Sequence, residues 1–158
     1  MKILVVYYSR TGKTRFVAET IASQLGADLE EIVDLKNRQG KLGWILAGKD
    51  ASRKSLTEIA SLTKAPAAYD LIVIGTPIWA WSPTPAVRTY IKQNSLSGKM
   101  VALFYTSDGD IRQADQKTKE LLQDATVVST LWLVSPLSNK EESQKKIADW
   151  CKTLPLQP

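Results

Sequence analysis

The sequence predicts an α/β fold: one domain, residues 1–158, built on a doubly wound, five-stranded parallel sheet. Two observations carry this. Short apolar runs of strand length alternate along the chain with amphipathic stretches of helical length. Most of those runs are continuously apolar, as in strands covered by helices on both faces.

Lys2–Tyr8 is the first such run. Gly12–Leu25 follows as a helix, with Val17, Ala18, Ile21, Ala22 and Leu25 on one face and Gly26 as its stop. Asp28–Asp34 alternates weakly and suits an edge strand. Lys36–Ser55 is polar, basic and glycine-containing; it reads as an irregular excursion with a short helix around Gly43–Ala47. A helix is expected over Ser55–Thr63. Tyr69–Thr76 is the next buried strand and Pro83–Gln93 a helix, with Pro85 tolerated in its first turn. Met100–Thr106 is a third buried strand, Ile111–Gln123 a helix, and Val127–Val134 a fourth buried strand interrupted by Ser129-Thr130. Ser138 and Glu141 read as the capping box of a last helix whose apolar face is Ile147, Trp150, Cys151 and Leu154.

Composition removes several function classes. Without histidine there is no His-based acid/base chemistry and no ordinary zinc site. Cys151 is the lone cysteine, so no intramolecular disulfide can form. The apolar run at the N-terminus is too short for a signal peptide, and no segment approaches the roughly 20 apolar residues of a membrane span. A cytoplasmic protein is expected. Net charge is +5, with basic residues concentrated between Lys36 and Lys54. This segment reads as a solvated loop or as a patch for an anionic partner. No nucleic-acid-binding motif accompanies it, so nucleic acid is not expected as a partner.

In doubly wound sheets, ligands sit beyond the carboxyl ends of the strands. Three loops leave those ends. Ser9-Arg10-Thr11-Gly12-Lys13-Thr14 joins a buried strand to a helix N-terminus, where free N–H groups and the helix dipole favour a phosphate. Ser9, Thr11 and Thr14 add hydroxyl donors, and Gly12 permits close approach. N-capping by Ser9 or Thr11 would explain one of these hydroxyls. The loop is not a P-loop, because Tyr7 stands where that motif needs its first glycine. No G-x-G-x-x-G occurs either. In the second loop, Pro77, Ile78, Trp79, Ala80 and Trp81 follow a buried strand. One indole can serve the core; a second at a ligand edge suggests stacking on a flat heterocycle. The third loop, Thr106, Ser107, Asp108, Gly109 and Asp110, offers small polar groups, and would alone read as a turn with a cap.

Taken together, S-R-T-G-K-T after the first strand and Y-D-L-I-V-I-G-T-P-I-W on the third make the chain resemble the flavodoxin family over nearly its full length. The resemblance implies strand order 2-1-3-4-5 and FMN as cofactor. It places the FMN phosphate in Ser9–Thr14 and the isoalloxazine between Pro77–Trp81 and Thr106–Asp110. Three departures stand out. The chain is basic where well-studied flavodoxins are acidic, Lys13 replaces a common Asn, and Gly40–Ser55 exceeds a minimal flavodoxin. No long insertion splits the last strand, as in short-chain types. The implied function is FMN-dependent electron transfer to a redox partner protein or a small-molecule acceptor. Alternatives are an NAD(P)H:quinone-type or protoporphyrinogen-oxidase-like oxidoreductase, and a non-catalytic binding module on the same fold. No catalytic side chain and no metal site are expected.

Overall fold

The structure is a computed structural model that describes residues 1–36 and 55–156, with the single positions 43, 45 and 49 between them. Its central sheet comprises β1 (Ile3–Tyr7), β2 (Asp28–Glu31), β3 (Leu71–Trp79), β5 (Met100–Ser107) and β6 (Thr126–Val134). These strands are parallel, in the order β2-β1-β3-β5-β6. That is the expected 2-1-3-4-5 order when the long strands are counted alone. The short β4 (Ser82–Pro83) pairs antiparallel with the end of β3, outside the main order.

Each central strand alternates its side chains between two cores, the period-2 consequence of the pleat. Ile3, Val5, Tyr7, Leu71, Val73, Ala102 and Phe104 join α1 (Lys13–Leu25) and α4 (Lys140–Cys151) on one face. Leu4, Val6, Ile72, Ile74, Val101, Leu103 and Tyr105 join α2 (Pro85–Gln93) and the α3 region (Ala114–Lys119, then a 3₁₀ turn over Glu120–Leu122) on the other. Gly26 is left-handed at the end of α1, as its place in the sequence required. The Cys151 thiol is buried, which pushes its pKa up to about 11 and leaves it unreactive.

Four expectations change. Residues 55–63 form no helix: Ile59 makes an isolated antiparallel bridge with Asp34, with Leu35 N–H donating to Glu58 O (2.9 Å) and Ala60 N–H to Val33 O (2.9 Å). The serines and threonines of this stretch compete with a helix for backbone hydrogen bonds. At Thr57 the backbone is taken by a side chain: its N–H donates to Thr89 Oγ1 (3.0 Å) and its carbonyl accepts from the same hydroxyl (2.8 Å), while its own hydroxyl donates to the Asp34 carboxylate (2.7 Å). The strand expected to be buried over Val127–Val134 lies at the sheet edge, as the order 2-1-3-4-5 implies, and is only half-buried for most of its length, with Trp132 and Val134 exposed. A bulge at Val128 shifts its register, and Ser129 Oγ accepts from Trp150 Nε1 (2.9 Å). The last helix is capped one residue later than expected. Asn139 Oδ1 accepts from Glu142 N–H (3.1 Å) while Asn139 Nδ2 donates to the Glu142 carboxylate (3.2 Å). The helix expected over Ile111–Gln123 is regular only over Ala114–Lys119. The proposed short helix around Gly43–Ala47 lies mostly outside the described residues; Gly43 and Ile45 within it are helical.

Candidate functional site

The loops after β1, β3 and β5 meet at the carboxyl end of the sheet. The first turns sharply into α1 because Gly12 is left-handed (φ 87°), and a Cβ built there would meet no atom within 4 Å. Ser9 Oγ accepts from the N–H groups of Gly12 (3.2 Å) and Arg15 (3.2 Å), closing the loop around the helix start. The N–H groups of Thr11, Lys13 and Thr14 have no partner among the described residues. Three free donors over open space at a helix N-terminus form an anion cradle. The Ser9 hydroxyl thus performs the capping role weighed above, and its own proton stays available to donate.

Thr14 is buried, and its Oγ1 lies 2.8 Å from Thr106 Oγ1. This contact ties the first loop to the third. Two hydroxyls carry two protons and the contact uses one, so the pair keeps one donor for a ligand. Lys13 Nζ makes a second tie, reaching the Asp108 carboxylate at 2.5 and 2.6 Å. Asp108 also accepts from Ser135 Oγ (2.9 Å). The Lys13 and Ser135 donors hold its carboxyl below the ordinary aspartate range.

The second loop continues β3 as far as Trp79 and returns as a two-residue hairpin, pairing Trp79 with Ser82 and Ile78 with Pro83. Ala80 and Trp81 form its tip, both with positive φ (46° and 53°). The right-handed twist of the strands demands that geometry, yet non-glycine residues hold it at a cost of roughly 1–3 kcal/mol each. Two cations secure the tip. Lys117 Nζ donates to Trp81 O (3.0 Å) and lies 3.3 Å from Ser82 Oγ; the Arg112 guanidinium lies over the Trp81 ring at 4.3 Å. Trp79 meets Tyr8 edge to face (5.5 Å, 87°), whereas Trp81 is 46% exposed. Of the two indoles, Trp79 is therefore the more packed and Trp81 the more open.

In the third loop, Ser107 Oγ accepts from Trp132 Nε1 (2.8 Å) and donates to Gly109 O (2.5 Å), so its one proton is already used. Asp110 turns back to accept from Arg112 N–H (2.9 Å). Gly109 has open space at its Cβ position. Pro77 stands opposite Thr106 in the β3–β5 ladder, and Ile78 packs at the rim of the α2-side core. Arg10 and Ser9 line a neighbouring hollow of about 580 Å³ beside Arg15 and Asp34.

Sequence reasoning missed Tyr8, Arg112, Lys117, Trp132 and Ser135, which brace these loops. Tyr8 stands where the first strand passes into the first loop, and nothing in the sequence assigns its ring a partner. Arg112 and Ser135 lie just past the carboxyl ends of β5 and β6, Trp132 near the end of β6 and Lys117 in α3, and no spacing marks them.

The family model described as flavodoxin matches residues 2–154. The chain belongs to the flavodoxin family. Among solved structures, this flavodoxin-family protein is similar to a candidate flavoprotein from Bacteroides eggerthii, with 28% identity, 99% of each chain covered and a TM-score of 0.78. A flavoprotein in complex with FMN from Lactobacillus acidophilus is 26% identical over 87% of this chain and 96% of the other, with a TM-score of 0.73. Oxidised flavodoxin 2 from Bacillus cereus shares the fold at 21% identity, 97% coverage of each chain and a TM-score of 0.63. No curated protein matches the sequence. Among the described residues, no helix of this flavodoxin-family protein is long and apolar enough to cross a membrane.

Proposed function

We propose that this protein binds FMN and carries electrons to and from a partner protein or a small-molecule acceptor in the cytoplasm. The observation that carries the reading is the cradle at the start of α1: left-handed Gly12 with open space above it and the unpartnered N–H groups of Thr11, Lys13 and Thr14. Such a cradle suits the terminal phosphate of a mononucleotide. The FMN complex of the Lactobacillus relative supports the choice of cofactor.

In this reading, Ser9, Arg10, Thr11, Gly12, Lys13 and Thr14 hold the phosphate. Pro77, Ile78, Trp79, Ala80 and Trp81 flank one side of the ring system, and Thr106, Ser107, Asp108, Gly109 and Asp110 the other. FMN would supply one- and two-electron redox chemistry. The chain's own part is to bind, orient and shield. Trp79 and Trp81 offer flat apolar surface, and the Lys13–Asp108 and Thr14–Thr106 ties hold the first and third loops at a fixed spacing.

A second reading, a reductase of quinone-type acceptors, is favoured by Lys117 beside the second loop, which pairs with no carboxylate among the described residues, whereas Lys13 and Arg112 are balanced by Asp108 and Asp110. Lys117 would stabilise a reduced, anionic cofactor and bring its two electron steps closer together. Titration of the flavin-free protein with FMN, FAD and riboflavin tests the cofactor, with FMN expected to bind most tightly. Equal affinity for riboflavin would refute the phosphate cradle. Steady-state oxidation of NADPH or NADH with a quinone separates the two roles: turnover identifies the reductase, and its absence leaves the electron carrier.

A further inference from the structure

Arg88 is 3% exposed, in the first half of α2, and is not part of the cradle. Helical side chains lean toward the N-terminus of their helix. Arg88 does so: its Nε donates to Pro83 O (3.3 Å), just ahead of the helix start. Nη2 is buried and has no hydrogen-bond partner. No acidic side chain among the described residues pairs with the guanidinium, and burial alone depresses its pKa.

Two features make this placement costly. A buried charge is normally paired, and breaking such a pair is among the more damaging changes a core can suffer. The positive end of a helix dipole also disfavours a cation, and the first turn of α2 contains no acidic residue to offset it. Desolvation and the helix field therefore act in the same direction, and among the described residues only the long hydrogen bond to Pro83 O opposes them. Position adds a third fact. Pro83, whose carbonyl receives the Arg88 Nε, pairs with Ile78, next to Trp79, in the hairpin of the second loop. The unpaired guanidinium sits at the base of the hairpin whose tip is strained at Ala80 and Trp81.

We propose that Arg88 and the first turn of α2 form a binding site for a small carboxylate, separate from the phosphate cradle of α1. Because Nε is engaged by Pro83 O, the end-on fork of Nη1 and Nη2 remains, and it matches the two oxygens of a planar carboxylate. The deep burial favours a monoanionic carboxylate over a phosphate dianion, which would lose more hydration on entry. Its position beneath the tryptophan hairpin suits a carboxylate carried by the molecule that exchanges electrons at the second loop. The binding itself does not depend on the flavin.

The test uses the protein both flavin-free and FMN-loaded, at constant ionic strength, with acetate and benzoate as probes and chloride and inorganic phosphate as controls. The Arg88 Nε–Hε resonance in ¹⁵N NMR spectra and the thermal midpoint are followed. The expected result is a saturable shift of that resonance and a rise in midpoint with acetate or benzoate, at least tenfold stronger than with chloride or phosphate, in both forms. R88M should fold, because an apolar side chain of similar length removes the desolvation problem, and its midpoint should be insensitive to acetate. R88K serves if R88M does not fold; it keeps the charge but loses the fork, so carboxylate affinity should fall at least fivefold. A response to acetate no larger than to chloride, stronger binding of phosphate, an acetate response that survives in R88M, or one undiminished in R88K would overturn the proposal. FMN binding is read separately by absorbance, so failure of the cofactor assignment leaves the anion result interpretable.

Discussion

Lys13 at the first position of α1 and Asp108 in the loop after β5 form a two-pronged ion pair, Nζ to Oδ1 at 2.5 Å and to Oδ2 at 2.6 Å, that joins two loops 95 residues apart in sequence. The same ammonium would serve a phosphate in the cradle, so Asp108 competes with the ligand for it. In D108N, Lys13 is released and a nearby negative charge disappears. FMN should bind about three- to tenfold more tightly, which is up to about 1.4 kcal/mol, and riboflavin should be unaffected. Titration of both flavins into D108N and the parent checks this; unchanged FMN affinity would mean that Lys13 does not reach the phosphate.

The same pair sets a pH dependence. The Asp108 carboxyl is held below its ordinary value by Lys13 first and Ser135 second. Its stabilising contribution is therefore fully present above the unfolded aspartate pKa, about 3.9, and is lost as pH falls through the lower folded value. The pair is solvent-exposed on the Asp108 side, so the effect should stay below about 1 kcal/mol. Urea unfolding of the parent and D108N at several pH values should show a difference near pH 6 that vanishes in acid.

The buried Thr14–Thr106 contact predicts a phosphate-selective defect. T14A removes one hydroxyl and leaves Thr106 Oγ1 without its partner. Hydrogen bonds to a charged group contribute roughly 1.5–3 kcal/mol. FMN affinity should fall about tenfold to a hundredfold with little change for riboflavin. Equal losses for both flavins would assign Thr14 to loop structure alone.

Trp79 and Trp81 should report the ring system. FMN binding should quench part of the tryptophan emission, and alanine at the contacting position should weaken FMN by roughly 1–3 kcal/mol, the scale of aromatic stacking on bases. If W79A and W81A both bind FMN as the parent does, the hairpin does not contact the flavin.

Gly75 and Phe104 make a packing prediction on β3. A Cβ at Gly75 would lie 1.9 Å from Phe104 Cζ, because the ring folds across the glycine from the paired strand position. G75A should destabilise the protein by at least roughly 1–3 kcal/mol through overpacking. F104L in the same chain should recover part of that loss, as read from denaturant midpoints. An additive double mutant would mean the clash relaxes elsewhere.

Much of this was legible along the chain. Apolar runs without alternation marked β1, β3 and β5, because a strand covered on both faces has no polar side to show. The carboxyl ends of those strands marked the three loops, and Gly12 marked the tight entry to α1. Local sequence failed where a neighbour decided the outcome. Residues 55–63 are not helical because Asp34 and Val33 offer backbone and side-chain partners that an isolated helix would have to outbid. The last long strand is only half-buried because it lies at the sheet edge, where its apolar run, read alone, suggests full cover. Ser138 lost the cap to Asn139 through a one-residue difference in where the chain turns. The pairings Lys13–Asp108, Arg112–Trp81 and Lys117–Trp81, and the unpartnered charge of Arg88, exist only once crossovers bring distant segments together. Periodicity and turn chemistry act over a few residues and so could be read in order. Side-chain partners across a parallel sheet are set by strand order and register, and the tertiary structure alone decides them.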